Sequence, residues 1–195
     1  MKEPRSRRFS ACWMEKDTMA DTKRTGLVQV YTGDGKGKTT AGTGLAVRAR
    51  GAGFDVAFVQ FIKGGRRSGE LAMLEQLGVD VSRPAEVSTG LLGAGLNDED
   101  RRAATEAWTI AAEAIGSGRY DVVVLDEACV ALAYELVDEA ALLDALAERP
   151  THVEVVLTGR GATPALIEAA DLVTEMRLVK HPYDRGVPAR RGIEF

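Results

Sequence analysis

The run Thr32-Gly33-Asp34-Gly35-Lys36-Gly37-Lys38-Thr39-Thr40 interleaves two lysines and three hydroxyl side chains with glycines at alternate positions. Those residue types suit a polyphosphate. Gly33, Gly35 and Gly37 let the backbone turn and bring its amides against phosphate oxygens. Lys38 supplies a mobile positive charge, the Thr39 hydroxyl is placed to ligate magnesium (or manganese), and Thr40 supports the loop. Lys36 reads either as a further phosphate contact or as a solvated side chain. The run departs from the strict pattern GxxxxGK[ST], which requires glycine where Thr32 stands; the chain carries its glycine one place later.

A second chemical signal is Asp121-Val122-Val123-Val124-Leu125-Asp126-Glu127, an apolar strand ending in two carboxylates. In phosphate-loop proteins such a strand sits beside the loop and holds the metal, directly or through water. By itself an acidic pair at a strand end also reads as a helix cap or a surface charge. Arg160, between Gly159 and Gly161, offers a planar set of donors to phosphate or substrate; the alternative is an ordinary loop arginine. Gln60 and Lys63 follow another apolar run and are second-rank ligand contacts, because ligands gather at strand C-termini.

These residues need a scaffold that presents strand ends on one edge. Short β-branched runs alternate with Ala- and Leu-rich helical patterns, which predicts an α/β fold: a mostly parallel sheet with helices on both faces, like that of P-loop NTPases. The expected strands are 27–31, 56–61, 79–82, 122–126, 153–158 and 172–178, and the expected helices 39–52, 69–77, 98–116, 138–148 and 164–170. Asn97 should cap the third helix, with Asp98, Glu99 and Asp100 in its first turn and Gly116 and Gly118 closing it. Thr163 before Pro164 should cap the last.

The chain has 195 residues, enough for one domain with a substantial core, taken as 26–195 behind a tail at 1–25. Its apolar fraction of 45% contains no run long enough for a membrane span. The net charge of −4 divides unevenly: residues 1–25 carry seven Lys or Arg against four Asp or Glu, so the tail is +3 and the remainder −7. An acidic body argues against nucleic-acid binding. The tail lacks the continuous apolar core of a secretory signal, which points to the cytoplasm. Cys12 and Cys129 are too far apart for a CxxC metal site and read as reduced thiols.

Taken together, the loop TGDGKGKTT, the strand VQFIKG, the strand VVVLDE, and TGRG followed by VKHPYDRGVPARRGIEF resemble, in this order, the ATP:corrinoid adenosyltransferases related to the enzyme acting on cobyrinic acid diamide. The resemblance covers residues 26–195. It implies transfer of the 5'-deoxyadenosyl group of ATP to a reduced corrinoid cobalt, with release of whole triphosphate. It implies triphosphate binding by residues 33–40, metal ligation by Thr39, Asp126 and Glu127, and catalytic roles for Lys38, Glu127 and Arg160. Lys180 and His181 are thereby placed near the nucleotide, although a lone His in an extended segment also reads as structural. A homodimer and a flavoprotein reductant are further implications.

The pattern departs from the family in the Gly-rich stretch 89–95. Relatives read GFTW where this chain has Gly90-Leu91-Leu92-Gly93, the expected corrinoid contacts. Leu91 can still offer apolar contact, but Gly93 cannot replace an indole. The departure bears on reduction of cobalt and choice of corrinoid rather than on ATP binding. Two other readings remain open on the residues alone: an ATPase in which Glu127 activates water, and a carrier that holds ATP or a corrinoid without turnover.

Overall fold

The structure, a computed structural model, describes residues 24–62, 69–83 and 96–194. Six strands form one sheet: β1 (Val28–Thr32), β2 (Val56–Gln60), β3 (Asp80–Ser82), β4 (Val122–Asp126), β5 (Glu154–Thr158) and β6 (Leu172–Glu175). The order is β3-β2-β4-β5-β1-β6 and every pairing is parallel. The helices are α1 (Lys38–Gly51), α2 (Gly69–Gln76), α3 (Asp98–Gly116), α4 (Ala128–Ala133), α5 (Glu139–Glu148) and α6 (Pro164–Ala169). This is the α/β architecture that the alternating runs predict.

Parallel strands need crossover helices, so both faces of the sheet are covered, and its strands β2 and β4 are apolar up to the polar residue at the C-terminal end of each. Every residue of β2 and β4 is buried. On one face Val59, Val123, Leu125 and Leu157 pack with Ala107, Ala111 and Ile115 of α3 and with Leu142 and Leu146 of α5. On the other, Phe58, Val124 and Val156 meet Ala46 and Ala49 of α1 and Leu71 and Leu74 of α2. The alanines of α3 recur at helical spacing, which turns a small-residue stripe to the sheet and lets the helix lie close.

Local signals set the helix ends. Asn97 accepts from the Asp100 amide while the Asp100 carboxylate accepts from the Asn97 amide, a complete capping box. Asp138 caps α5, and Thr163 caps α6 with Pro164 in its first turn. α4 was not among the expected helices; it has no side-chain cap, and the residue before it, Glu127, has a φ of 61° that breaks the usual entry.

One expectation needs correction. The last strand ends at Glu175 rather than at residue 178, where the backbone of Met176 and Arg177 passes beneath the glycine-rich loop. The acidic strand, β4, pairs with β2 and β5, so β5 lies between it and β1, yet its end at Glu127 reaches the same cleft as the loop.

Candidate functional site

The register brings the C-terminal ends of β1, β2, β4 and β5 to one sheet edge, with Gln60 opposite Asp126 and Tyr31 opposite Thr158. A cleft of about 610 Å³ opens there, lined by the loop from Asp34 to Thr40 together with Thr43, Gly69, Glu70, Glu127, Arg160, His181 and Gly192 to Glu194.

The loop is held from below. Gly33, at φ 95°, and Gly35 lie so close to the backbone of Met176 and Arg177 that a Cβ at either would fall within 2.7 Å of a carbonyl oxygen. The Gly35 amide donates to Met176 O at 2.6 Å. Thr32 is buried, and its hydroxyl accepts from the Ala162 amide, so it braces the loop against the chain after β5.

α1 follows Gly37 at its N-cap, with no side-chain cap and no acidic residue in its first turn. α3, α5 and α6 carry capping side chains, whereas none caps α1, and the dipole at its N-terminus favours an anion. Thr39 and Thr40 line the cleft in that turn. The Lys38 ammonium donates to Gly33 O at 2.6 Å and to Gly35 O at 2.7 Å, folded over its own loop. Burial lowers its pKa, and the nearby Arg160 guanidinium adds to the effect, against the pull of Glu127 and Asp34.

The two carboxylates at the end of β4 part company. Asp126 is fully buried; its Oδ2 accepts from Gln60 Nε2 at 3.0 Å and its Oδ1 from Thr158 Oγ1 at 2.8 Å. Thr158 Oγ1 in turn accepts from the Glu127 amide at 3.0 Å. Gln60, expected as a nucleotide contact, is itself buried and tied into this network rather than directed into the cleft. Glu127 adopts left-handed backbone geometry and is one of the residues that line the cleft. A non-glycine residue there carries strain of about 1 kcal/mol, which the Asp126–Thr158 network holds in place.

Arg160 is mostly exposed on the turn after β5, its Nε 3.9 Å from Asp34 Oδ1 across the cleft. Gly159, at φ 133°, sets that turn, and a Cβ there would meet Cys129 and Val130 at about 3.0 Å. His181 also lines the cleft, while its Nδ1 accepts from the Tyr183 amide and caps the 3-10 turn Pro182–Arg185. Lys180 is exposed and outside the cleft lining. Lys63 and Gly90, Leu91, Leu92 and Gly93 lie outside the described residues. Sequence reasoning missed Thr43, one helical turn beyond Thr39, and the return of residues 192–194 to the loop. The first was legible from the i, i+4 spacing; the second had no local signal.

Among the described residues no three His, Cys, Asp or Glu side chains converge as a metal cage. The Thr39 hydroxyl and the Glu127 carboxylate both line the cleft. That oxygen-only pair suits magnesium, which takes one or two protein ligands and completes its shell with phosphate oxygens and water.

Residues 24–195 match the profile of the family described as ATP:corrinoid adenosyltransferase BtuR/CobO/CobP. A corrinoid adenosyltransferase of Pseudomonas aeruginosa is 40% identical over 98% of this chain and 94% of its own. One from Sinorhizobium is 42% identical over 93% and 86% of the two chains, and one from Escherichia coli K12 is 42% identical over 87% and 86%.

Proposed function

Since the chain belongs to the ATP:corrinoid adenosyltransferase family, a family of enzymes, we propose that it transfers the 5'-deoxyadenosyl group of ATP to the cobalt(I) of a corrinoid and releases intact triphosphate. The observation that carries the reading is the convergence on one cleft of the uncapped α1 terminus, Lys38, Thr39, Glu127 and Arg160.

The reaction is an alkyl transfer. The cobalt(I) electron pair forms the bond to C5', the C5'–O5' bond breaks, cobalt becomes formally cobalt(III), and the electron pair leaves on the triphosphate. The nucleophile belongs to the substrate, so the protein must bind, orient and stabilise the leaving group, and no general base is required. The α1 amides and Lys38 accept the growing negative charge, and Arg160 adds a planar donor set from the opposite wall. Thr39 and Glu127 would hold magnesium, which would supply positive charge beside the phosphates. Asp126 acts from behind, through Thr158, by fixing the Glu127 backbone.

On the same reading a flavoprotein supplies electrons to the corrinoid, the working unit is a homodimer, and the compartment is the cytoplasm. The family resemblance supports these points. No helix among the described residues is long and apolar enough to cross a membrane.

One observation favours a second reading: a carboxylate, Glu127, stands in the cleft where it can orient water toward a phosphate, as in an ATPase. The products separate the two. Anaerobic incubation with magnesium, ATP and a chemically reduced corrinoid should give the adenosyl-corrinoid spectrum and intact triphosphate; inorganic phosphate without adenosylation would transfer the conclusion to an ATPase.

A further inference from the structure

The Lys36 side chain reaches residues 193 and 194 along the wall of the cleft it lines. Its ammonium donates to Glu194 Oε1 at 3.0 Å and to Ile193 O at 3.1 Å. Glu194 is itself gripped by Arg190: the Arg190 amide reaches Oε2 at 2.7 Å, Nε reaches Oε2 at 3.3 Å and Nη2 reaches Oε1 at 3.0 Å. The turn closes on itself through Ile193 and Glu194 amides that both donate to Arg190 O, with Gly192 at φ 77°. Glu194 and Ile193 line the same cleft as Lys36 and the phosphate loop.

A carboxylate beside a phosphate seat can obstruct an anion or organise a cation for it, and charge decides which. Arg190 already balances Glu194, so adding Lys36 leaves the trio at +1. Lys36 follows Gly35, whose amide is fixed to Met176 O, so its backbone is anchored at the base of the cleft. Bound at both Glu194 and Ile193, its ammonium is confined to the cleft wall, and a confined donor loses less entropy when it meets a phosphate.

We propose that the turn Arg190–Glu194 is a positioning unit for the triphosphate site, in which Glu194, held by Arg190, aims the Lys36 ammonium at the polyphosphate. The proposal rests on the reading of the cleft as an ATP site and adds to it a specific role for a segment distant in sequence. Lys36 is thereby a binding residue, and Glu194 acts only through it. The Glu194 carboxyl is held down to about 2, by the side chain of Arg190 first, then by the Arg190 amide and Lys36, so it stays ionised wherever the protein works.

The test is titration calorimetry with magnesium ATP on the full chain, comparing K36A, E194A and the double variant, with thermal melts as a check on folding. K36A should weaken binding about tenfold and E194A about three- to tenfold, as expected for a partly exposed charge-assisted contact. The double variant should match K36A within about twofold, because removing Glu194 has no effect once Lys36 is gone. In turnover the E194A loss should fall on KM for ATP more than on kcat. Unchanged or tighter ATP binding by E194A, or a double variant weaker by the full product of the single effects, overturns the proposal and leaves the ATP site standing. Absence of ATP binding by the unaltered protein overturns both.

Discussion

At the scale of single residues, the adjacent carboxylates at the end of β4 stand in different surroundings. Asp126 has both oxygens engaged inside the protein, whereas Glu127 lines the cleft. D126A should leave the Gln60 amide and the Thr158 hydroxyl without a buried partner and lower stability by about 1–3 kcal/mol, measured by denaturant unfolding. E127Q should fold as before and lose about 10–100-fold in magnesium-dependent turnover, the range expected for disturbing a metal environment. If E127Q proved the destabilised one and D126A the stable one, the assignment of roles would be reversed.

Lys38 makes a pH prediction whose sign follows from its surroundings. Its pKa lies below the ordinary lysine range, mainly because of burial. A triphosphate stabilises the charged form and raises that pKa again, so binding on the alkaline side should take up a proton and affinity should fall as pH rises. Calorimetry in two buffers of different ionisation enthalpy reads the proton directly; K38A should abolish the uptake. Cys129 is the complementary case: burial, with Glu127 nearby, pushes its thiol up to about 12. In a C12S background it should not react with a thiol reagent at pH 8 until the protein is unfolded.

At the scale of elements, the site depends on where strands stop. β6 hands its chain to the underside of the loop: Met176 N donates to Thr32 O, and Gly35 N to Met176 O. The glycines at 33 and 35 therefore have a steric reason in the fold itself, since there is no room for a Cβ over that backbone. G35A should cost about 1–3 kcal/mol in thermal or denaturant unfolding, by forcing the loop off Met176 and Arg177, and should weaken triphosphate binding with it. A stable G35A that binds normally would mean the loop tolerates lifting. The helix ends were legible in advance at Asn97 and Thr163 because a cap is a contact between near neighbours in sequence. α4 was not, because its entry is governed by the left-handed backbone of Glu127, fixed through Thr158 of another strand.

At the scale of the whole molecule, the edge of the sheet opposite the site is joined separately. Asp121 Oδ1 accepts from Arg24 at 3.0 Å and its Oδ2 from the Asp55 amide at 2.8 Å, linking the approaches to β2 and β4. D121A should lower stability by about 1–2 kcal/mol while leaving KM for ATP where it was, since no cleft residue takes part.

The amino-acid order alone determined an α/β fold, a glycine-rich loop between a strand and a helix, a strand closing on two acids and, from four segments taken together, the family. The loop, the strand and the helix ends are written in residues a few places apart, where propensity, periodicity and turn chemistry act. The tertiary structure decided what depends on strands meeting across the sheet. It placed β5 between β1 and β4, which makes Thr158 the link between Asp126 and Glu127. It buried Gln60 against Asp126, and it returned Glu194 to Lys36 across 158 positions of chain. Such contacts are set by register and crossover, and no window of sequence holds both partners.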